Sequence, residues 1–103
     1  MNSREEDPVY TSVAHVATDA APRYAKQLAS HLGRRGNVEE LEGGGYRLTF
    51  GAGEGTVVPE PDRLVLRATA PDGAALARVE DVLGRHLERF GRRNELTVVW
   101  ETA

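Results

Sequence analysis

The chain has 103 residues, a formal net charge of −3 and no cysteine. A chain of this length folds as one domain around its own core, and the lack of cysteine excludes disulfides, iron–sulfur clusters, thiolate metal sites and cysteine nucleophiles. The acidic balance creates no overall field that favours nucleic acid or an anionic membrane, so neither is expected as a partner.

The N-terminal segment, MNSREEDPVY, is polar and acidic. A secretory signal needs a positive start followed by an apolar run, and no stretch of the chain approaches the roughly 18 apolar residues of a membrane-spanning helix. We therefore expect a cytoplasmic protein. Residues 1–9 are expected to form a disordered tail, and residues 10–103 a single α+β domain.

Two segments carry apolar residues at helical spacing. The first follows Thr18 and Asp19, which are typical capping residues, has Pro22 in its first turn and extends to about Leu32. The second begins after the Pro71-Asp72-Gly73 turn and extends to about residue 90. Its predicted apolar seam consists of Leu76, Val79, Leu83 and Phe90, and Val82 and Leu87 widen it.

Other segments alternate between apolar and polar residues, as β-strands do. Glycine-rich turns such as Gly43-Gly44-Gly45 separate them, and strands rather than helices follow these glycines. We therefore interpret the glycines as hairpin turns and not as phosphate-binding loops. The predicted strands cover residues 10–17, 38–42, 46–50, 55–58, 63–70 and 96–100.

The elements follow the order β-α-β-β-β-β-α-β. Each predicted helix is apolar along one side, so each must bury that side against a sheet. The sequence therefore predicts a two-layer α+β sandwich, with two helices on one face of a mainly antiparallel sheet of five or six strands.

Two long segments carry a family resemblance: HVATDAAPRYAKQLASHLGRR and LVLRATAPDGAALARVEDVLGRHLERFGRRNELTVVW. They resemble the bacterial domain of unknown function 2218 over about residues 11–101. Similar domains occur beside, or fused to, siderophore-interacting flavin reductases. The resemblance therefore implies an accessory role in iron–siderophore handling, with such a reductase as a partner, and it assigns no catalytic residue.

Two histidines are candidates for a site. His86, in the segment GRHLERF, lies three residues after Leu83 and four before Phe90, which places it on the predicted seam; His31 lies at the edge of the first helix's stripe. If both helices cover one sheet face, the two imidazoles approach each other near the helix C-termini. We interpret His86 as a structural histidine with a hydrogen-bond partner, and keep ligand or metal binding as alternatives. Because no metal-ligand spacing is present, no metal or cofactor is predicted.

Arginines and a tryptophan follow near the C-terminus. Arg85 and Arg89 form a stripe on the second helix with Arg92 or Arg93. This stripe is either a solvated helix end that complements the helix dipole or a patch for an anion or an acidic partner. Trp100 is in phase with apolar neighbours, so it either packs on the core or contacts a flat ligand.

The leading hypothesis is a small non-enzymatic binding module for a small anionic ligand or a partner protein. One alternative is a small enzyme that uses His86 as general base while Arg89 holds an anionic substrate. Another is a homodimer joined through an exposed sheet face. The candidate binding residues are His31, His86, Arg85, Arg89 and Trp100.

Overall fold

The computed structural model describes residues 9–34, 36–51, 53–91 and 96–103. These residues form a two-layer α+β sandwich with the predicted element order, and residues 1–8 of the predicted tail lie outside them. The elements are β1 (Tyr10–Ala17), α1 (Ala21–Leu32), β2 (Asn37–Glu40), β3 (Tyr46–Thr49), β4 (Glu54–Glu60), β5 (Arg63–Ala70), α2 (Gly73–Phe90) and β6 (Glu101–Thr102).

The six described strands form one antiparallel sheet in the order β2-β3-β4-β5-β1-β6. β1 lies between β5 and β6, so α2 crosses over β1 on its way from β5 to the sheet edge. α1 packs mainly on β3, β4 and β5, and the two helices contact each other. None of the described helices is long and apolar enough to cross a membrane.

Both helices cover the same face of the sheet. Ala14 and Val16 of β1 are buried beneath them, and Ala14 is the register partner of Leu66 on β5. Because side chains alternate along a strand, Val13 and His15 lie on the opposite face, which no described helix covers. His15 is therefore remote from the helices.

α1 begins differently from the prediction. Its N-cap residue is Ala20, and no side chain caps the helix. Thr18 Oγ1 instead accepts a hydrogen bond from the Ala20 N–H at 3.1 Å, so the predicted capping role of Asp19 is wrong. Pro22 lies in the first turn as predicted.

α2 begins at the N-cap Asp72, whose carboxylate accepts from the Ala75 N–H at 2.7 Å. The centre of its buried face differs from the predicted seam, because Leu87 is fully buried whereas Phe90 is half-buried. His86 consequently lies at the edge of the buried face that borders α1. The buried residues of α2 are Ala75, Val79, Leu83, Gly84 and Leu87.

The segment between β2 and β3 also differs from the prediction. β2 ends at Glu40, and a short 3-10 turn, Glu42–Gly44, follows. Gly43 and Gly44 have φ values of 81° and 88°, which glycine adopts without the steric cost that other residues incur. The Leu41 N–H then donates to Gly45 O at 2.8 Å and closes the turn.

The predicted strand 96–100 is wrong in its bounds. Residues 96–100 are not in a strand, and β6 consists of two residues that pair with Ser12 and Val13 of β1. The predicted phase is nevertheless right, since Trp100 packs on the core whereas Val99 is 63% exposed. The Val98 N–H donates to the Glu88 carboxylate at 3.1 Å, so a side chain of α2 takes the place of a strand partner there.

Candidate functional site

Helix α2 has a groove along each of its two sides. One side borders α1, and the other borders residues 96–103, which we call the C-terminal segment. The two grooves differ in the charges that line them and in the partners of those charges.

On the α1 side, three aromatic rings form a cluster. The ring centroids of His31 and His86 are 4.8 Å apart, and Phe90 lies 5.6 Å from His31 and 6.4 Å from His86. The expected approach of the two imidazoles is therefore confirmed. It follows from helix phase, since each histidine is at the edge of its helix's buried face and the two edges meet.

His86 is held by the backbone of its own helix. Its Nδ1 lies 2.7 Å from Val82 O. Because a carbonyl oxygen can only accept, Nδ1 carries a proton in both the neutral and the charged ring. Any gain or loss of a proton by His86 therefore occurs at Nε2.

A groove of about 470 Å³ runs along the outer face of α1 beside this cluster. We call it the basic groove. Its described lining contains three permanent cations and a histidine but no carboxylate. The lining residues are Arg23, Lys26, Gln27, Ser30, His31, Arg34 and Phe90.

The three cations of the basic groove are not neutralised by neighbouring acids. Among the described residues, none of Arg23, Lys26 and Arg34 has an ion-pair partner. The Arg23 guanidinium lies 5.4 Å from the centroid of the Tyr24 ring, which leaves its charge available to an anion. The groove therefore combines uncompensated positive charge with an aromatic wall.

Arg23 is unfavourable for the stability of its own helix. It lies in the first turn of α1, which contains no acidic residue. The macrodipole makes this end of a helix positive, so a cation there is repelled and an anion is attracted. Arg34, which follows the other end of the helix, is compatible with the dipole. Arg23 therefore gains no support from the helix dipole, and its described side-chain contact is with the Tyr24 ring.

The second groove, which we call the C-terminal groove, encloses about 310 Å³. Each of its carboxylates has a partner. The Ser12 hydroxyl donates to Glu80 at 2.6 Å, Arg85 pairs with Asp81 at 2.8 Å, and Glu88 accepts from a backbone N–H of the C-terminal segment. The lining residues are Ala77, Glu80, Asp81, Gly84, Arg85, Glu88, Val98 and Trp100.

The Trp100 side chain lies beside Gly84 of α2 in the C-terminal groove. A Cβ atom added to Gly84 would lie 3.5 Å from Trp100 Nε1 and 3.5 Å from Val98 Cγ1. The Glu88 carboxylate and the indole beside Gly84 therefore hold the C-terminal segment against α2. The contacts in this groove therefore have a structural role.

The five predicted binding residues do not converge on one place. His31 and His86 lie together on the α1 side of α2, whereas Arg85 and Trp100 line the C-terminal groove. Arg89 is exposed and lines neither groove. Arg35, Arg92 and Arg93 lie outside the described residues. A binding role for the five stays a prediction.

Four residues of the basic groove were not predicted: Arg23, Lys26, Gln27 and Ser30. Their signal is present in the sequence, because residues 20–34 contain three cations and no aspartate or glutamate. Arg23, Gln27, Ser30 and Arg34 follow helical spacing along one face of α1.

Metal binding has little support from the described residues. Within them, no group of three or more histidine, aspartate or glutamate side chains comes together in a way that could hold a metal ion. His31 and His86 supply two imidazoles, fewer than the three or four protein ligands of ordinary zinc sites.

The described residues thus form a two-layer α+β domain with a groove lined by basic residues on its first helix. The chain belongs to the family described as uncharacterized protein conserved in bacteria, DUF2218, whose model matches residues 13–101. It is also similar to the NMR structure of PA4090 from Pseudomonas aeruginosa, at 28% identity and a TM-score of 0.73 over 89% of this chain and 95% of that chain. No curated protein matches the chain. The family resemblance and the fold class are thus confirmed.

Proposed function

We propose that this domain is a binding module that holds a small anionic ligand in the basic groove. The observation that carries the proposal is the set of three cations, Arg23, Lys26 and Arg34, that have no acidic neighbour in the described part of the groove. Acidic residues outnumber basic ones in the chain, 16 to 13, and yet no carboxylate is part of the described groove lining.

The described arginines outside the groove include paired and unpaired ones. Arg47, Arg63 and Arg85 each contact a carboxylate, at 2.9, 2.6 and 2.8 Å respectively. Arg67, Arg78 and Arg89 have no ion pair among the described residues, so the feature specific to the groove is that three unpaired cations line one site.

The chemistry of the lining indicates the class of ligand. Guanidinium groups bind carboxylate, phosphate and sulfonate oxygens through two parallel hydrogen bonds. Ser30 and Gln27 add neutral donors, and Phe90 and His31 provide a flat wall. The volume falls within the usual range for small-molecule sites. We therefore propose a ligand with two or more negative groups and a flat apolar part.

The family resemblance extends the proposal to iron acquisition. Siderophores that bind iron through carboxylates or catecholates form anionic complexes, which have the charge and the flat rings that the groove would accept. The partner protein in this proposal is a siderophore-interacting flavin reductase, and the setting is the cytoplasm, as the N-terminal sequence predicts.

The enzyme alternative receives less support from the geometry. His86 does not line the basic groove, its Nδ1 is engaged with Val82 O, and Arg89 lies outside both grooves. A general base needs to reach the proton that it removes. We therefore favour the structural interpretation of His86 in the unliganded protein.

The homodimer alternative is favoured by one observation. The sheet face opposite the helices carries Val13, Val58 and Val65, each only half-buried in the single chain. A second copy packed on this face would bury them. Native mass spectrometry at micromolar concentration distinguishes a dimer from a monomer, and this outcome is independent of the basic groove.

The test of the binding function uses benzene-1,3-disulfonate, which has a flat ring and two permanently ionised groups. Isothermal titration at low salt compares the native protein with a groove variant, R23Q/K26Q/R34Q, and a matched control, R47Q/R63Q/R85Q, which removes the same charge elsewhere. We expect the groove variant to lose about tenfold or more in affinity, since hydrogen bonds to charged groups are the strong ones, and the control to change little.

Two results would contradict the proposal. One is an equal loss of affinity in both variants, which would mean that net charge and not the groove attracts the probe. The other is no binding to the native protein at probe concentrations in the millimolar range. Circular dichroism checks that each variant is folded.

A further inference from the structure

We propose that the basic groove takes up a proton together with its anion, and that the pair His31 and His86 accepts this proton. The inference rests on the proposed anion-binding function and specifies how that site is regulated and which ligands it prefers. The observation behind it is that His31 lines a groove that already holds three cations, while the His86 ring lies 4.8 Å behind it.

The two histidines have different positions in the pair. His31 is exposed and lines the groove, so its ring can contact a bound anion. His86 is half-buried beside it, with Nδ1 fixed to Val82 O at 2.7 Å. A proton added to His86 goes to Nε2, and its charge acts on the groove across the 4.8 Å between the rings.

The charged groups around the pair are mainly positive. Those of α1 that line the groove are Arg23, Lys26 and Arg34. On α2, Arg89 is exposed one turn after Arg85, and Arg85 is neutralised by Asp81.

The other elements packed against α1 do not bring negative charge into the groove. β3, β4 and β5 present apolar side chains to the helix layer, among them Leu48, Val57 and Leu66. The acidic residue of the 3-10 turn, Glu42, does not line the groove. In the described groove, therefore, a bound anion is the natural counter-charge for an imidazolium.

Binding and protonation are then linked. An anion next to the pair favours the charged form of the imidazoles, and by linkage a protonated pair favours the anion. Histidine changes its charge near pH 6.5, so the affinity for the anion is highest below that range and is lost progressively as the pH rises through it. Protonation of the pair raises the affinity for a ligand with two negative charges more than for one with a single charge. The doubly charged ligand can face the cations and the imidazolium at once.

The experiment is isothermal titration with benzene-1,3-disulfonate at about pH 5.5 and about pH 8, on either side of the histidine range. The charge of the probe is constant across this interval, so any pH dependence belongs to the protein. Each titration is repeated in two buffers with different ionisation enthalpies, and the difference gives the number of protons taken up. We expect about tenfold higher affinity at the lower pH, with net proton uptake on binding between the two pH values.

Three variants locate the effect. H31Q and H86Q should each reduce both the pH dependence and the proton uptake, whereas H15Q should leave them unchanged, since His15 lies on the uncovered sheet face. His31 is exposed, so H31Q decides the question even if H86Q fails to fold.

The outcomes separate the two proposals. Equal affinity at both pH values without proton uptake overturns the proton coupling and leaves the anion site intact. No binding at either pH overturns the anion site as well. Full pH dependence in H31Q, or its loss in H15Q, also overturns the coupling to the pair.

Discussion

The grooves on the two sides of α2 both contain charged side chains and a large aromatic residue. They differ in whether the charged side chains have partners within the protein. Each side has a shallow groove with charged residues and one large aromatic residue, Trp100 on one side and Phe90 on the other. In the C-terminal groove every carboxylate has a donor, and the contact of Glu88 holds the C-terminal segment on the helix. In the basic groove the cations have no acidic partner among the described residues. The comparison shows that a charged cluster indicates a site only after its internal partners have been counted.

The largest expected effect on the C-terminal side comes from Trp100→Ala. Trp100 packs on Gly84 and Val98 and is half-buried, so its removal should lower the free energy of unfolding by about 2 kcal/mol, less than for a fully buried tryptophan. Urea denaturation measures the change. Disulfonate affinity should stay at the native value, and a loss of binding in a folded W100A protein would mean that Trp100 contacts the ligand.

A smaller loss is expected for Ser12→Ala. Ser12 is 3% exposed and donates to Glu80 at 2.6 Å, which joins β1 to α2. Hydrogen bonds to charged groups contribute about 1.5–3 kcal/mol, and Glu80 remains partly solvated, so we expect about 1.5 kcal/mol. Chemical denaturation checks this value against Ser30→Ala, which removes a hydroxyl from the exposed basic groove and should leave stability nearly unchanged.

Gly84→Ala should have the opposite sign. The new Cβ would meet Trp100 and Val98 at 3.5 Å, which is ordinary van der Waals contact. Alanine is favoured over glycine within a helix by up to about 1 kcal/mol, so a gain of about 0.5 kcal/mol is expected in thermal or urea unfolding. A clear destabilisation would show that the C-terminal segment packs more tightly on α2 than these distances indicate.

A change in stability as small as that of Gly84→Ala, together with the largest change in binding, is expected for Arg23→Glu. A carboxylate in the first turn of α1 interacts favourably with the helix dipole, by about 0.5 kcal/mol, while it places a negative charge in the basic groove. The unfolding midpoint should therefore rise slightly as disulfonate affinity falls. If R23E destabilised the protein, Arg23 would have a structural role and the contrast between the two grooves would weaken.

Much of the fold could be predicted because it depends on local patterns. The ends of both helices and the order of all elements follow from apolar spacing and from turns such as Pro71-Asp72-Gly73. The position of β6 does not follow from such patterns. The alternation in residues 96–100 shows only which side chains are half-buried. The hydrogen bond from Val98 to Glu88, ten residues earlier, is a tertiary contact that leaves no local signal.

Part of the candidate site could be predicted because it, too, depends on local patterns. The meeting of His31 and His86 needs only helix phase and a shared sheet face. The separation of Arg85 and Trp100 from them depends on which side of α2 the C-terminal segment follows, and the pairing of β6 with β1 determines this. The basic groove could have been found from the acid-free stretch 20–34, but only the structure shows which charges elsewhere are paired.

The central claim is that anions bind to the α1 side of α2 and not to its C-terminal side. Backbone amide chemical shifts of the nitrogen-15-labelled protein, recorded during a titration with benzene-1,3-disulfonate, test it most directly. We predict that the largest shifts occur in residues 23–34 and at Phe90, with little change in residues 77–81 and 98–100. Largest shifts around Trp100 and Arg85, or small changes spread evenly over the surface, would contradict the account.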